Sequence, residues 1–207
     1  MKGHNGRKIV LSVGLPMAVV FLGFLVWGRI SDGESVNIGS TGPLYDLEDQ
    51  KTWPAIRNKL RTATIEDALA LANRLRTDDP TINTTLTAEH VEFSFPDGRR
   101  VGVPIGPSEM IVSIAPYRTR THPCAIHSIS GCQGEITNRP FEVTVYDSDG
   151  ELIFTDTVTT GDNGFFEIFL PKDRELRVSI DSNLGRAERV IGTSADDPTC
   201  ITDMQLL

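Results

Sequence analysis

The stretch Thr121-His122-Pro123-Cys124-Ala125-Ile126-His127-Ser128-Ile129-Ser130-Gly131-Cys132 places two thiols and two imidazoles within about a dozen residues. The remaining cysteine, Cys200, lies near the C-terminus. Sulfur and imidazole in one short segment are ligands for copper(I), zinc or an iron–sulfur centre. Neighbouring thiols can also close into a disulfide, which makes the segment redox-active. Thr121-His122-Pro123 reads as the start of a short helix, with proline just inside it and Gly131 as its stop. Such a helix puts Cys124 in the first turn, where the dipole favours a thiolate, with His127 three residues on and on the same face. Cys132 then folds back from just past the stop. His122 is within reach, and Cys200 joins if the C-terminal segment packs alongside.

Three cysteines plus His127 suit copper(I), which prefers sulfur, or zinc, which takes four ligands in a tetrahedron. The spacing is not a standard zinc pattern, because no two cysteines are separated by two to four residues. The same spacing lacks the paired cysteines of a thioredoxin-like oxidoreductase. Copper(II) adds a redox route. Two cysteines each give one electron to a copper(II) ion, a disulfide and two copper(I) ions result, and the third thiol and a histidine hold product. The competing reading is a structural Cys124–Cys132 disulfide, which contributes about 2–3 kcal/mol for so short a loop. It leaves Cys200 and His127 without a role.

The elements around this segment set its compartment. Residues 9–28 are almost wholly apolar and uncharged, long enough to span a bilayer. Lys2, Arg7 and Lys8 precede the run and favour a cytoplasmic N-terminus, and Trp27 suits the far interface. The run exceeds a secretory signal's apolar core, and Val26-Trp27-Gly28-Arg29 is a poor cleavage site, so an uncleaved anchor is favoured over a cleaved signal. Either places the rest of the chain outside the cytoplasm, in the periplasm or at the outer face of the membrane. An odd number of cysteines there leaves one thiol that must pair, bind metal or react. The net charge is −8, and residues 1–29 hold four basic residues and no acid, so the remainder carries −12. A domain that anionic repels nucleic acid.

The organisation expected is mainly β with some helix (α+β): an anchor over 1–29, a linker over 30–44, a helical and β-hairpin region over 45–116, and a cysteine–histidine segment with a small β-sandwich over 117–207. One helix is expected over 45–58, interrupted by Pro54. A second is expected over 65–75, capped by Thr64 with an apolar stripe of Ile65, Leu69, Ala72 and Leu75. Residues 90–103 read as a hairpin around Pro96-Asp97-Gly98, with His90 facing solvent. A strand over 110–115 leads to the cysteine segment. From Phe141 onward short strands alternate with turns, with Phe141, Val143 and Val145 in one core layer and Phe166, Ile168 and Leu170 in another. Asp147-Ser148-Asp149-Gly150 reads as a hairpin turn, because an EF-hand needs glycine and glutamate where Leu152 and Val158 stand. Asn83-Thr84-Thr85 reads as an ordinary loop. Met110 reads as core, and Met204 as core or as an extra soft ligand. No nucleophile–base–acid series and no phosphate loop occurs, so hydrolase and nucleotide-binding functions have no residues to carry them.

Ser113-Ile114-Ala115-Pro116-Tyr117, Thr121-His122-Pro123-Cys124, His127 and Cys132-Gln133-Gly134-Glu135 together resemble the CueP family of bacterial periplasmic copper-binding proteins. So do Asp162-Asn163-Gly164-Phe165, Leu170-Pro171, Asp196-Asp197 and Thr199-Cys200-Ile201-Thr202. The resemblance runs from about Glu89 to the C-terminus. It implies copper binding through Cys124, Cys132 and Cys200, copper tolerance, thiol-based reduction of copper(II), and supply of copper to an exported copper-dependent protein. The front of the chain departs from the family's cleaved signal. The expected partners are therefore copper ions, with zinc as the other metal the donors suit, a recipient protein, and the membrane through the anchor; self-association into a homo-oligomer stays open. The alternative function is a membrane-tethered β-sandwich that binds another envelope protein and carries a structural disulfide.

Overall fold

The computed structural model describes residues 52–207. The anchor, the linker and the first part of the expected 45–58 helix lie outside the described residues. Among the described residues no helix is long and apolar enough to cross a membrane.

Two helices open the described chain. α1 (Thr52–Leu60) carries Pro54 in its first turn and continues past it. Within the described residues Pro54 does not interrupt the helix, because first-turn N–H groups have no intrahelical acceptor to lose. α2 (Ile65–Asp78) starts where Thr64 caps it: the Thr64 hydroxyl accepts the Asp67 N–H at 3.1 Å. It buries Leu69, Ala72 and Leu75 and runs one turn beyond the expected end.

Next come β1 (Asn83–Leu86), β2 (His90–Ser94) and β3 (Arg100–Pro104), joined antiparallel, and β5 (His127–Ser128), which extends the sheet to the order β3-β2-β1-β5. The Asn83 triplet is thus strand rather than loop, and Thr84 is fully buried. Val91, Phe93 and Phe95 face inward, as the alternation predicts, and His90 and Glu92 lie on the other face.

β6 (Pro140–Asp147), β7 (Leu152–Thr159), β9 (Glu175–Ser182) and β10 (Gly185–Gly192) form a second antiparallel sheet in the order β10-β9-β6-β7. The Asp147-Ser148-Asp149-Gly150 segment is its hairpin turn, with Gly150 at φ +82°.

Between these sheets lies a third: β4 (Glu109–Ile114), flanked by antiparallel β8 (Phe166–Pro171) and parallel β11 (Cys200–Ile201). β4 and β8 are apolar at nearly every position, so both of their faces can be buried. Met110, Val112, Ile114, Phe166, Ile168 and Leu170 pack with Phe141, Val143 and Val145 of β6 in one core. Ile111 and Phe169 point the other way, into a core shared with both helices and β1–β3. The two expected layers of the sandwich therefore do meet. Met204 is core.

The sheets draw on both halves of the chain: β4 pairs with β8 and β11, and β5 pairs with β1. The site lies where these elements meet.

Candidate metal centre

No helix forms over residues 121–131; the segment is extended and irregular, and His127 enters β5. The expected helical face for Cys124 and His127 is therefore replaced by tertiary positioning. The reason is visible in the hydrogen bonds. The Thr199 and Cys200 N–H groups both donate to the Ala125 carbonyl, at 2.9 and 3.2 Å. The Thr202 hydroxyl donates to the His122 carbonyl at 2.7 Å, and the Thr121 hydroxyl donates to the Thr202 carbonyl. These bonds take the backbone partners a helix would use and tie the segment to the C-terminal strand.

Cys200 is placed by register. In the middle sheet it stands opposite Ser113, which stands opposite Glu167, so the three side chains form a row on one face. That face looks toward β5. The Cys200 Sγ lies 3.6 Å from His127 Nδ1. Cys124 and Cys132 meet at Sγ···Sγ 3.6 Å, and all three cysteines are free. The Cys124–Cys132 disulfide of the alternative reading is not formed.

The five expected donors fall into two overlapping triads. His122, Cys124 and Cys132 form one, and His127, Cys132 and Cys200 the other; within each, the ligand atoms lie within 4.8 Å of one another. The first triad is half-buried. In the second, His127 is 0% exposed and Cys200 2%. Phe165 floors both, with its ring centroid 4.4 Å from that of His127 and 6.3 Å from that of His122.

The thiols share protons unequally. The Cys200 S–H and the two imidazoles hold Cys132 well below the usual thiol range. Once Cys132 is charged, its sulfur and burial push Cys200 up, and burial pushes Cys124 up. Cys132 is thus the sulfur most favoured as thiolate, and a bound cation favours ionisation of the other two.

Residues the sequence reading missed complete the surroundings. The Glu167 carboxyl is 4.0 Å from His127 Nε2, and burial raises its pKa against the pull of His127. Among the described residues His127 Nε2 has no hydrogen-bond partner, so Glu167 is the polar group facing the outer edge of the imidazole while Nδ1 faces sulfur. A lone acid in a strand otherwise apolar on both faces was the available signal for it.

Thr199 is a second such residue. Its buried hydroxyl accepts the His127 N–H at 3.0 Å and donates to the Leu86 carbonyl at 2.7 Å. Thr199→Val keeps the shape and strands both groups. We expect a loss of about 2 kcal/mol in urea unfolding, together with weaker metal binding; an unchanged midpoint would contradict the coupling.

Two loops carry Cys132. The Gly134 N–H donates to the Asn163 carbonyl at 2.7 Å, and Gly134 lies against Gly164. Gln133 is held by Arg76 at the end of α2 and donates to the Asp162 carbonyl. The Glu135 carboxylate accepts the N–H groups of Arg118 and Thr119 at 2.6 and 2.9 Å and the Thr119 hydroxyl. That hydroxyl first, then the amides, hold Glu135 down to about 2. A depressed carboxyl contributes stability above its unfolded value and loses it as pH falls through its folded one. Wild type should therefore lose this contribution between about pH 4.5 and 2. Glu135→Gln should lack it at pH 7, at a cost of about 1 kcal/mol after solvent screening. Thermal melts of the two at pH 7 and pH 3 check this: the gap should narrow in acid.

A family model described as periplasmic copper-binding protein CueP matches residues 66–205. The crystal structure of S.CueP is similar at a TM-score of 0.67 and 30% identity, over 78% of this chain and 100% of that chain. No curated protein sequence matches the chain significantly. Taken with the cysteine–histidine cluster, these matches establish that the chain belongs to the CueP family of periplasmic copper-binding proteins.

Proposed function

We propose that this protein takes up copper outside the cytoplasm, reduces copper(II) with its own thiols, and holds copper(I) on Cys124, Cys132 and Cys200 with His127 assisting. The observation that carries the reading is the convergence of three free sulfurs and a buried imidazole from residues far apart in the chain. A set so rich in sulfur selects copper(I) over harder ions. Zinc is the other metal the donors suit, through a tetrahedral set.

The redox step balances within the site. Cys124 gives up a proton and an electron, the Cys132 thiolate gives up an electron, two copper(II) ions become copper(I), and one S–S bond forms. Their sulfurs start 3.6 Å apart and must close to about 2.05 Å. Cys200 and His127 remain to hold product. A recipient protein outside the cytoplasm then accepts copper(I), and residues 1–29 tether the domain to the membrane.

The test is copper(II) addition to the reduced full chain under anaerobic conditions, with a chromogenic copper(I) chelator and a count of free thiols. Two thiols should disappear for every two copper(I) ions formed. Copper left as copper(II) with all thiols intact would overturn the redox step. A Cys200→Ser protein that competes with the chelator as well as wild type would overturn the holding site.

A further inference from the structure

We infer that the fully reduced cluster has two adjoining copper(I) stations that share the Cys132 thiolate. This rests on the copper reading above and extends it to what the site holds at saturation. The outer station is His122, Cys124 and Cys132, and the inner is His127, Cys132 and Cys200.

Two observations carry it. First, the donors group as two threes with one sulfur in common, not as one set of five. A trigonal ion at about 2.3 Å from each sulfur holds its ligands about 4 Å apart. Each triad, with its ligand atoms within 4.8 Å, needs only a small contraction to reach that. Five donors are also one more than a tetrahedral ion takes, so a single ion leaves an imidazole unused.

Second, the stations differ in access. His127 and Cys200 are sealed, whereas His122 and Cys124 are half-exposed.

Cys132, lying in both triads, is the bridge. An ion can enter through His122 and Cys124 and reach the inner station by exchanging ligands around Cys132, without passing through water.

Copper(I) titration of the reduced full chain, competed against bicinchoninate and read in parallel by native mass spectrometry, tests this. Wild type should bind two ions per chain, and X-ray absorption of the loaded protein should show a copper–copper vector. His122→Ala should lose the second step, with at least a tenfold weaker second ion, and Cys132→Ser should not reach two ions. Circular dichroism of both variants checks that they fold. Saturation of wild type at one ion, or His122→Ala taking two as tightly as wild type, overturns the two stations and leaves the copper function standing. A wild-type protein that takes up no copper(I) overturns both.

Discussion

Cys132→Ser lowers the copper(I) affinity of this protein by about 100-fold or more, the largest loss expected from any single exchange in the cluster. Cys132 is the sulfur common to both triads. Without Cys124 the triad of His127, Cys132 and Cys200 is still complete. Without Cys200 the triad of His122, Cys124 and Cys132 is. Without Cys132 neither is. Serine matches the shape but offers a hard hydroxyl that a soft ion does not favour. The backbone bond from the Cys132 N–H to the Ser128 carbonyl, at 2.8 Å, is untouched, so the loop should keep its place. Competition with a copper(I) chelator reads the effect in Cys124→Ser, Cys132→Ser and Cys200→Ser side by side. Equal losses in all three would show that the shared position of Cys132 has no energetic consequence.

The second large effect concerns a glycine that binds nothing. Gly164→Ala destabilises the protein by about 4 kcal/mol, from two sources. Gly164 has φ +76°, where a side chain is strained. A Cβ there would also stand 2.7 Å from the Gly134 carbonyl carbon, a backbone atom that cannot swing aside. Gly150→Ala separates the two contributions: its φ is +82°, yet a Cβ meets nothing within 4 Å. It should cost about 1 kcal/mol. Urea unfolding of the apo proteins measures both, and similar losses would mean that the close approach of Gly134 and Gly164 contributes little. Because Gly134 lies two residues from Cys132, Gly164→Ala should also weaken copper binding, whereas Gly150→Ala should not.

This pair of glycines brings two stretches distant in sequence into one contact. Cys132-Gln133-Gly134-Glu135 and Asp162-Asn163-Gly164-Phe165 are two sides of one contact. Asn163 is its hinge: its carbonyl accepts the Gly134 N–H, and its side-chain oxygen accepts the Phe165 N–H at 3.0 Å, which aims the ring that floors both imidazoles. Likewise β11 (Cys200–Ile201) with its neighbours Thr199 and Thr202 delivers one sulfur and two hydroxyl clamps.

Periodicity made the hairpin of β2 and β3, the cap at Thr64 and the layers of β6 and β8 legible. Each is a local pattern: one apolar face to bury in β2 and β6, a near-continuous apolar run in β8, and a capping hydroxyl ahead of α2. β1 and β11 were not legible. Asn83–Leu86 and Cys200–Ile201 are too short to show alternation, and they are strands because longer neighbours offer them partners. The expected helix over the cysteine segment failed for a related reason. Local signals for a cap and a stop were present, but the hydrogen bonds from Thr199, Cys200 and Thr202 satisfied the same backbone groups in an extended path.

The chain's residue types alone narrowed the chemistry to a soft-metal site, a thiol redox pair or a structural disulfide, because ligand softness and thiol reactivity are properties of residue type. The family resemblance singled out copper among these. Which donors meet was decided only by the tertiary structure. The parallel pairing of β11 with β4 carries Cys200 across the fold to His127, and the row Cys200, Ser113, Glu167 sets the polar surroundings of that imidazole. Sheet register is a property of strands paired across long loops, so no local window of sequence contains it.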